Sequence, residues 1–546
     1  MLFFISEERE SMKRKIVSIV CITAMVALAA FGCKKAPENK EASVGKEEGV
    51  KAYVGTYLFK KSLDPIKGAM AYGYPFINNA LIKVNSQSEY VGDLAKSWEI
   101  SQDFLTYTFH LKEGIKFSDG SDFHAEDVVF TYETVQKNQA DNENVDLTQL
   151  ESVSALDENT VEFRLKEAYS PFLDTTALLQ IVPSDAYDSK AFDTNPIGTG
   201  AYKVAQYDTD QQIILETNEH YFGEKPSIEK VTLVNMDIDA AFAAAKAGEL
   251  DLVMVETSYS KENVKGMTLQ KLETMDVRNV SLPVRPVTKM ENAKGEAVTV
   301  GNPVTSDPAV RKALSIGIDR QKIIEHAFDG IGIPAVNFTD NLVWASTDTY
   351  PDKQTDEAKA LLDEAGWKVG KDGIREKDGQ ACAFHLYAAA GDTDRYHLCV
   401  ALAENAKELG IDIQVKTATW DEILTLQNTE PIIWGWGQYS PTVLSSLFQS
   451  DLFLTGGYDN ASGYENPQAD AKIQEALTAD TQEKAIASWK ELQKIVEQDY
   501  TNLFLVNIQH CYFVSDKLDI SVDTQIPHPH GHGAPVICNM ADWKLK

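Results

Sequence analysis

Between residues 230 and 255 the chain runs strand, helix, strand, and that order limits the sheet it can build. Lys230–Val234 alternates β-branched and apolar residues as a strand does. An alanine-rich helix follows at 240–247, stopped by Gly248, and residues 250–255 are apolar again. Two strands separated by a helix cannot close as a hairpin, so the sheet reads as parallel or mixed and the class as α/β.

Other stretches carry the same elements. Tyr107, Phe109 and Leu111 alternate with Thr108 and His110, as in a half-buried strand. Asp119-Gly120 is a turn pair. Residues 125–132 then read as a helix, with Glu126 and Asp127 in its first turn where the helix dipole favours negative charge. Val161, Phe163 and Leu165 mark another strand, and a helix starts near 169–173. A chain of 546 residues exceeds one ordinary core, so two or three domains are expected.

The first 33 residues stand apart. Lys13-Arg14-Lys15 is a basic segment and 16–30 an apolar one, ending in Ala30-Phe31-Gly32-Cys33. This is similar to a bacterial lipobox, in which Cys33 is lipidated and becomes the mature amino terminus. Residues 1–11 carry Glu7, Glu8 and Glu10, wrong for a basic leader, so Met12 is the expected start. Residues 1–32 read as a signal peptide and 33–51, polar and charged, as a flexible tether. No later stretch offers the run of about 18 apolar residues that a spanning helix needs.

A net charge of −31 argues against nucleic-acid binding, which requires a basic face for phosphates. Of six cysteines, Cys21 and Cys33 belong to the leader. Bridges Cys382–Cys399 or Cys511–Cys538 and buried free thiols are both open readings.

Five segments in order resemble one family. They are "W…YTFHL…G…FSDG…AEDVVF" at 98–130, Pro196-Ile197-Gly198-Thr199-Gly200-Ala201-Tyr202, and Asn218-Glu219-His220-Tyr221 with Gly223 and Pro226. Then come 307–320, opening Asp307-Pro308 and ending Asp319-Arg320, and 356–367, ending Gly366-Trp367. The set is similar to the family 5 solute-binding proteins, the peptide- and nickel-binding components of bacterial ABC importers. The two glycines at 198 and 200 supply positive φ or close backbone approach. No G-K-[ST] follows, so this is not a phosphate loop.

The resemblance implies a two-lobed periplasmic-binding-protein fold of type II, the large peptide-binding variety with an extra subdomain. Lobe I would comprise 52–285 plus 516–546, with an inserted subdomain at about 76–195, and lobe II would be 286–515. It implies a monomeric substrate-binding lipoprotein on the outer face of the cytoplasmic membrane, or the periplasmic side in a two-membrane bacterium. Such a protein delivers a peptide-like solute to ABC permease subunits and, through them, ATPases. The alternative is a nickel or metal-chelate receptor. A secreted metallohydrolase ranks behind both, because neither G-x-S-x-G nor H-E-x-x-H occurs. No resident cofactor is expected; nickel or another metal would enter as ligand.

Three places could hold the ligand. Tyr72 and Tyr74 lie in an aromatic loop that the resemblance puts near the cleft; packing is the other reading. Ile432–Trp436 is a buried strand ending in glycines and aromatics, and the resemblance makes Trp434, Trp436 and Tyr439 cleft residues; core packing is the alternative. Peptide binders carry an aspartate here for the ligand's amino group, whereas this chain has no Asp or Glu between 432 and 450. Residues 436–447 lean towards the nickel branch, yet the arginines of that branch are missing from 142–150 and 178–183. His528, His530 and His532 alternate with Pro and Gly and offer imidazoles to Ni, Cu or Zn, or simply form a loop.

Overall fold

The computed structural model describes residues 49–55, 59, 62–68, 76–87, 89–142, 145–338, 342–348, 351–526 and 535–546. Strand β1 (Val50–Tyr53) takes in Val50 and Lys51, which composition assigns to the tether. Val50 and Ala52 are 2% and 0% exposed, so a core is available to them and outweighs their polar surroundings.

A first body is built from residues 66–192. β2 (Ile82–Val84) and β3 (Tyr90–Gly92) pair as an antiparallel ribbon. β4 (Ala95–Ile100) and β5 (Thr106–Leu111) join β6 (Leu150–Asp157) and β7 (Thr160–Leu165) in the order β4-β5-β7-β6. β5 alternates as its sequence predicts, with Tyr107, Phe109 and Leu111 fully buried. Helix α1 (Ala125–Lys137) covers this sheet and runs past 132, because Val128, Tyr132 and Val135 recur at helical spacing and all bury. The Asp127 carboxylate accepts the His124 N–H at 2.9 Å and closes its first turn. Phe163 meets the rings of Phe109, Tyr132 and Phe172 edge-on, with centroids 4.7–5.6 Å away. Phe172 opens the short helix α2 (Phe172–Leu178).

The chain leaves this body through 196–202. A Cβ on Gly198 would lie 2.1 Å from the Ile77 carbonyl oxygen, and one on Gly200 2.6 Å from Phe76. Close backbone approach, not positive φ, demands glycine at both positions.

The main sheet has eleven strands. β8 (Tyr202–Asp208), β9 (Gln212–Thr217) and β10 (Lys230–Val234) precede helix α3 (Ile238–Ala247) and β11 (Leu252–Val255). Both β10 and β11 run parallel to β1, which lies between them. Then come the long strand β12 (Met267–Ser281), β13 (Ala383–Ala389), helix α4 (Thr393–Ala406) and β14 (Asp412–Ala418). Helix α5 (Trp420–Leu426), β15 (Ile432–Trp436) and helices α6 (Pro467–Leu477) and α7 (Gln482–Glu497) lead to β16 (Asn502–Ser515). The order is β14-β13-β15-β12-β16-β11-β1-β10-β9-β8, with 333–334 paired on β16.

β12 and β16 join the two sides of this sheet. Residues 267–273 pair with 509–515, and 277–281 with 502–507. Between Glu273 and Val277 the register slips, a bulge that bends and twists the pair. The Thr274 hydroxyl caps the bulge by donating to the Ile508 carbonyl at 2.7 Å. β11 pairs with 511–514 on one side of the slip, and β15 with 277–281 on the other. Separate cores follow: one from 50–77, 201–272 and 512–543, and two more within 275–506.

Cys382, Cys399, Cys511 and Cys538 are free thiols. No helix among the described residues is long and apolar enough to cross a membrane.

Candidate functional site

Strand β15 places its two tryptophans on one face, two residues apart. Trp434 is 3% exposed and donates its indole N–H to the Ser281 hydroxyl of β12 at 2.8 Å. Trp420 stacks beside it at 5.9 Å and Tyr458 meets it edge-on at 5.7 Å. Trp420 and Tyr458 are 39% and 46% exposed, so they present the aromatic surface and Trp434 backs it. Arg395 spreads its guanidinium over the Trp420 ring at 5.5 Å. Trp436 is half-buried, with its indole N–H buried and without a partner among the described residues. Gly437 follows because a Cβ there would lie 2.2 Å from the Met275 carbonyl oxygen in the bulge.

Beyond the glycine, Tyr439 and Ser440 meet the 66–192 body. Asp174 of α2 is 6% exposed; its carboxyl accepts from the Tyr90 hydroxyl of β3 and from the Ser440 hydroxyl. Burial pushes that carboxyl up to about 6, against the pull of the two hydroxyls. A cavity of about 540 Å³ opens beside it, lined by Tyr90 and Asp174 from one body and Trp344, Tyr439, Gln482 and Trp489 from the other. Trp344 donates its indole N–H to the Tyr439 carbonyl at 2.7 Å and so fixes that loop. Ser170 clasps the two bodies: its N–H donates to the Leu477 carbonyl at 2.8 Å and its hydroxyl to the Ala476 carbonyl at 2.9 Å.

A charged cluster lies near the bulge. Arg278 pairs with Asp276, and Arg395 with Asp392. Burial raises the Asp394 carboxyl to about 6; Glu256 and Asp392 add to this and Arg278 opposes it.

Tyr72, Tyr74, Cys33 and the histidines His528, His530 and His532 lie outside the described residues. Among the described residues no group of three or more His, Cys, Asp or Glu is placed to hold a metal ion. Trp434, Trp436 and Tyr439 are brought into one neighbourhood, Trp434 in the rear. Sequence reasoning missed Tyr90, Asp174, Trp344, Trp420, Tyr458 and Trp489. No local signal marks Asp174, which stands in the polar stretch Asp174-Thr175-Thr176.

The family model "Bacterial extracellular solute-binding proteins, family 5 Middle" matches residues 89–454. Protein XP55 of Streptomyces lividans is 30% identical over 510 residues, covering 90% of each chain. The oligopeptide-binding protein AppA of Bacillus subtilis is 28% identical over 535 residues, 91% of this chain and 94% of AppA. The crystal structure of NikA from Brucella suis in complex with Fe(III)-EDTA superposes with a TM-score of 0.77 at 22% identity, over 91% of this chain and 99% of NikA. The architecture is thus the two-lobed type II periplasmic-binding-protein fold.

Proposed function

The chain belongs to the bacterial extracellular solute-binding proteins of family 5, and from that membership we propose that it is the substrate-binding lipoprotein of an ABC importer. It captures a peptide-like solute outside the cytoplasmic membrane and delivers it to the permease subunits and their ATPases. It acts as a monomeric receptor, not a catalyst, and Cys33 carries the lipid that holds it at the membrane.

One observation carries this reading: the cavity of about 540 Å³ is walled on one side by the 66–192 body and on the other by residues 342–489. A site shared by two separately packed bodies is made by their approach and opened by their separation. β12 and β16 are the connection between the sides of the sheet, so the bulge at 274–276 is the natural hinge.

A metal-chelate ligand is the second reading. It is favoured by the absence of an acid between 432 and 450 and by the likeness to NikA. Native mass spectrometry of the gently purified protein separates the two. The peptide reading expects adducts with peptide masses and fragment ladders; a stoichiometric metal signal with no peptide would contradict it.

A further inference from the structure

The Asp174 carboxyl sits where the two bodies meet, and both supply its partners. Tyr90 of its own body and Ser440, in the loop after β15, each give it a hydroxyl. Pro171 and Asp174 line the 540 Å³ cavity from one side; Trp344, Tyr439, Pro441 and Gln482 line it from the other. The bond from Ser440, like those from Ser170 to Leu477 and Ala476, exists only while the bodies are together.

Charge is scarce around it. Among the described residues Asp174 forms no ion pair; its partners are the two hydroxyls. Lys83 lines an adjoining cavity of about 350 Å³, yet its ammonium lies 4.0 Å from Asp93. The other titratable neighbours, Tyr90, Tyr169 and Tyr439, are phenols that burial keeps neutral. Gln482 and Trp489 of α7 carry no charge. Closing the bodies therefore takes this carboxyl out of water against hydroxyls alone. That transfer costs an ionised carboxylate far more than a neutral carboxyl. Closure and protonation of Asp174 thus favour each other, by linkage.

We propose that Asp174 is a proton-responsive latch: a proton on its carboxyl holds the two bodies closed, and loss of that proton lets them part. The inference rests on the solute-receptor reading and adds regulation of that site, with solute held more tightly in an acid medium. The open form exposes the carboxyl and titrates it in the ordinary range near pH 4, whereas the closed form keeps its proton up to about 6. The latch is fully set below about pH 4 and is lost as pH rises through 6. Asp394, near Glu256, is also held up at about 6, so variants must assign the response.

The test is small-angle scattering of the solute-stripped full chain from pH 4.5 to 7.5. Wild type should expand as the pH rises. Asp174→Asn, uncharged at every pH, should stay compact at pH 7.5 and lose most of that response. A wild-type radius of gyration constant with pH, or an unchanged response in Asp174→Asn, would overturn the latch. If Asp174→Asn fails to fold, Tyr90→Phe decides in its place. It takes one hydroxyl from the ionised carboxylate, so the midpoint of expansion should move up by at least about half a pH unit; an unmoved midpoint would overturn the latch. Adding back, at pH 7.5, the solute fraction recovered from the protein's own purification separates the two readings. Contraction on addition without any pH response would overturn the latch and leave the receptor standing. No contraction and no pH response would overturn both.

Discussion

The Ser170 hydroxyl donates to the Ala476 carbonyl at 2.9 Å and so links the body around α1 to the end of α6. This bond exists only when the two bodies meet. One net hydrogen bond contributes about 0.5–1.5 kcal/mol. Ser170→Ala should therefore weaken solute affinity by roughly 2–10-fold, in the dissociation rate, while leaving the thermal unfolding of ligand-free protein nearly unchanged. Stopped-flow release and calorimetry measure it; an unaltered affinity would remove Ser170 from the clasp.

The two strand tryptophans should respond differently. Trp434 is enclosed by Trp420 and Tyr458 and bonded to Ser281. Trp434→Ala should cost about 3–5 kcal/mol of stability by denaturant titration, as for other large-to-small core changes. Trp436→Ala should keep the fold, checked by circular dichroism, and lose about 1–3 kcal/mol of binding by calorimetry. Wild-type affinity in a folded Trp436→Ala protein would return that residue to the core.

Sequence periodicity made β5, β7, β10, α1 and α3 legible, because each needs only its own residues to choose a face. The bulge at 274–276 was not legible, since it depends on register against Ile508, far along the chain. The strand tryptophans, two residues apart on one face, look equivalent in sequence; Trp420 and Tyr458 make them different. Asp174 reads locally as an acid in the first turn of a helix, an ordinary surface choice. Its burial comes from Tyr90 and Ser440, which no local pattern brings to it.

Acidity should matter for the ligand-free protein. Burial holds Asp174 and Asp394 up at about 6 and Glu497 at about 7. The folded chain therefore keeps protons that the unfolded chain loses above about pH 4. Their contribution to stability is fully present below that point and is lost as pH rises through 6 to 7. Asp174→Asn should flatten the fall in melting temperature between pH 4.5 and 7.5. An unchanged pH profile in that variant would contradict the burial of this carboxyl.

The leader predicts an anchor. Cys33→Ala should yield protein that takes up no lipid label and leaves the membrane fraction. Continued labelling and membrane retention would count against lipidation at Cys33.

The central claim is that two bodies hinged at β12 and β16 close on a solute. Small-angle scattering tests it most directly, on protein stripped of its co-purified solute and on the same protein after the solute is restored. The account predicts a larger radius of gyration when stripped and a smaller one when restored. The same radius in both states, with binding confirmed by calorimetry on the same samples, would contradict it.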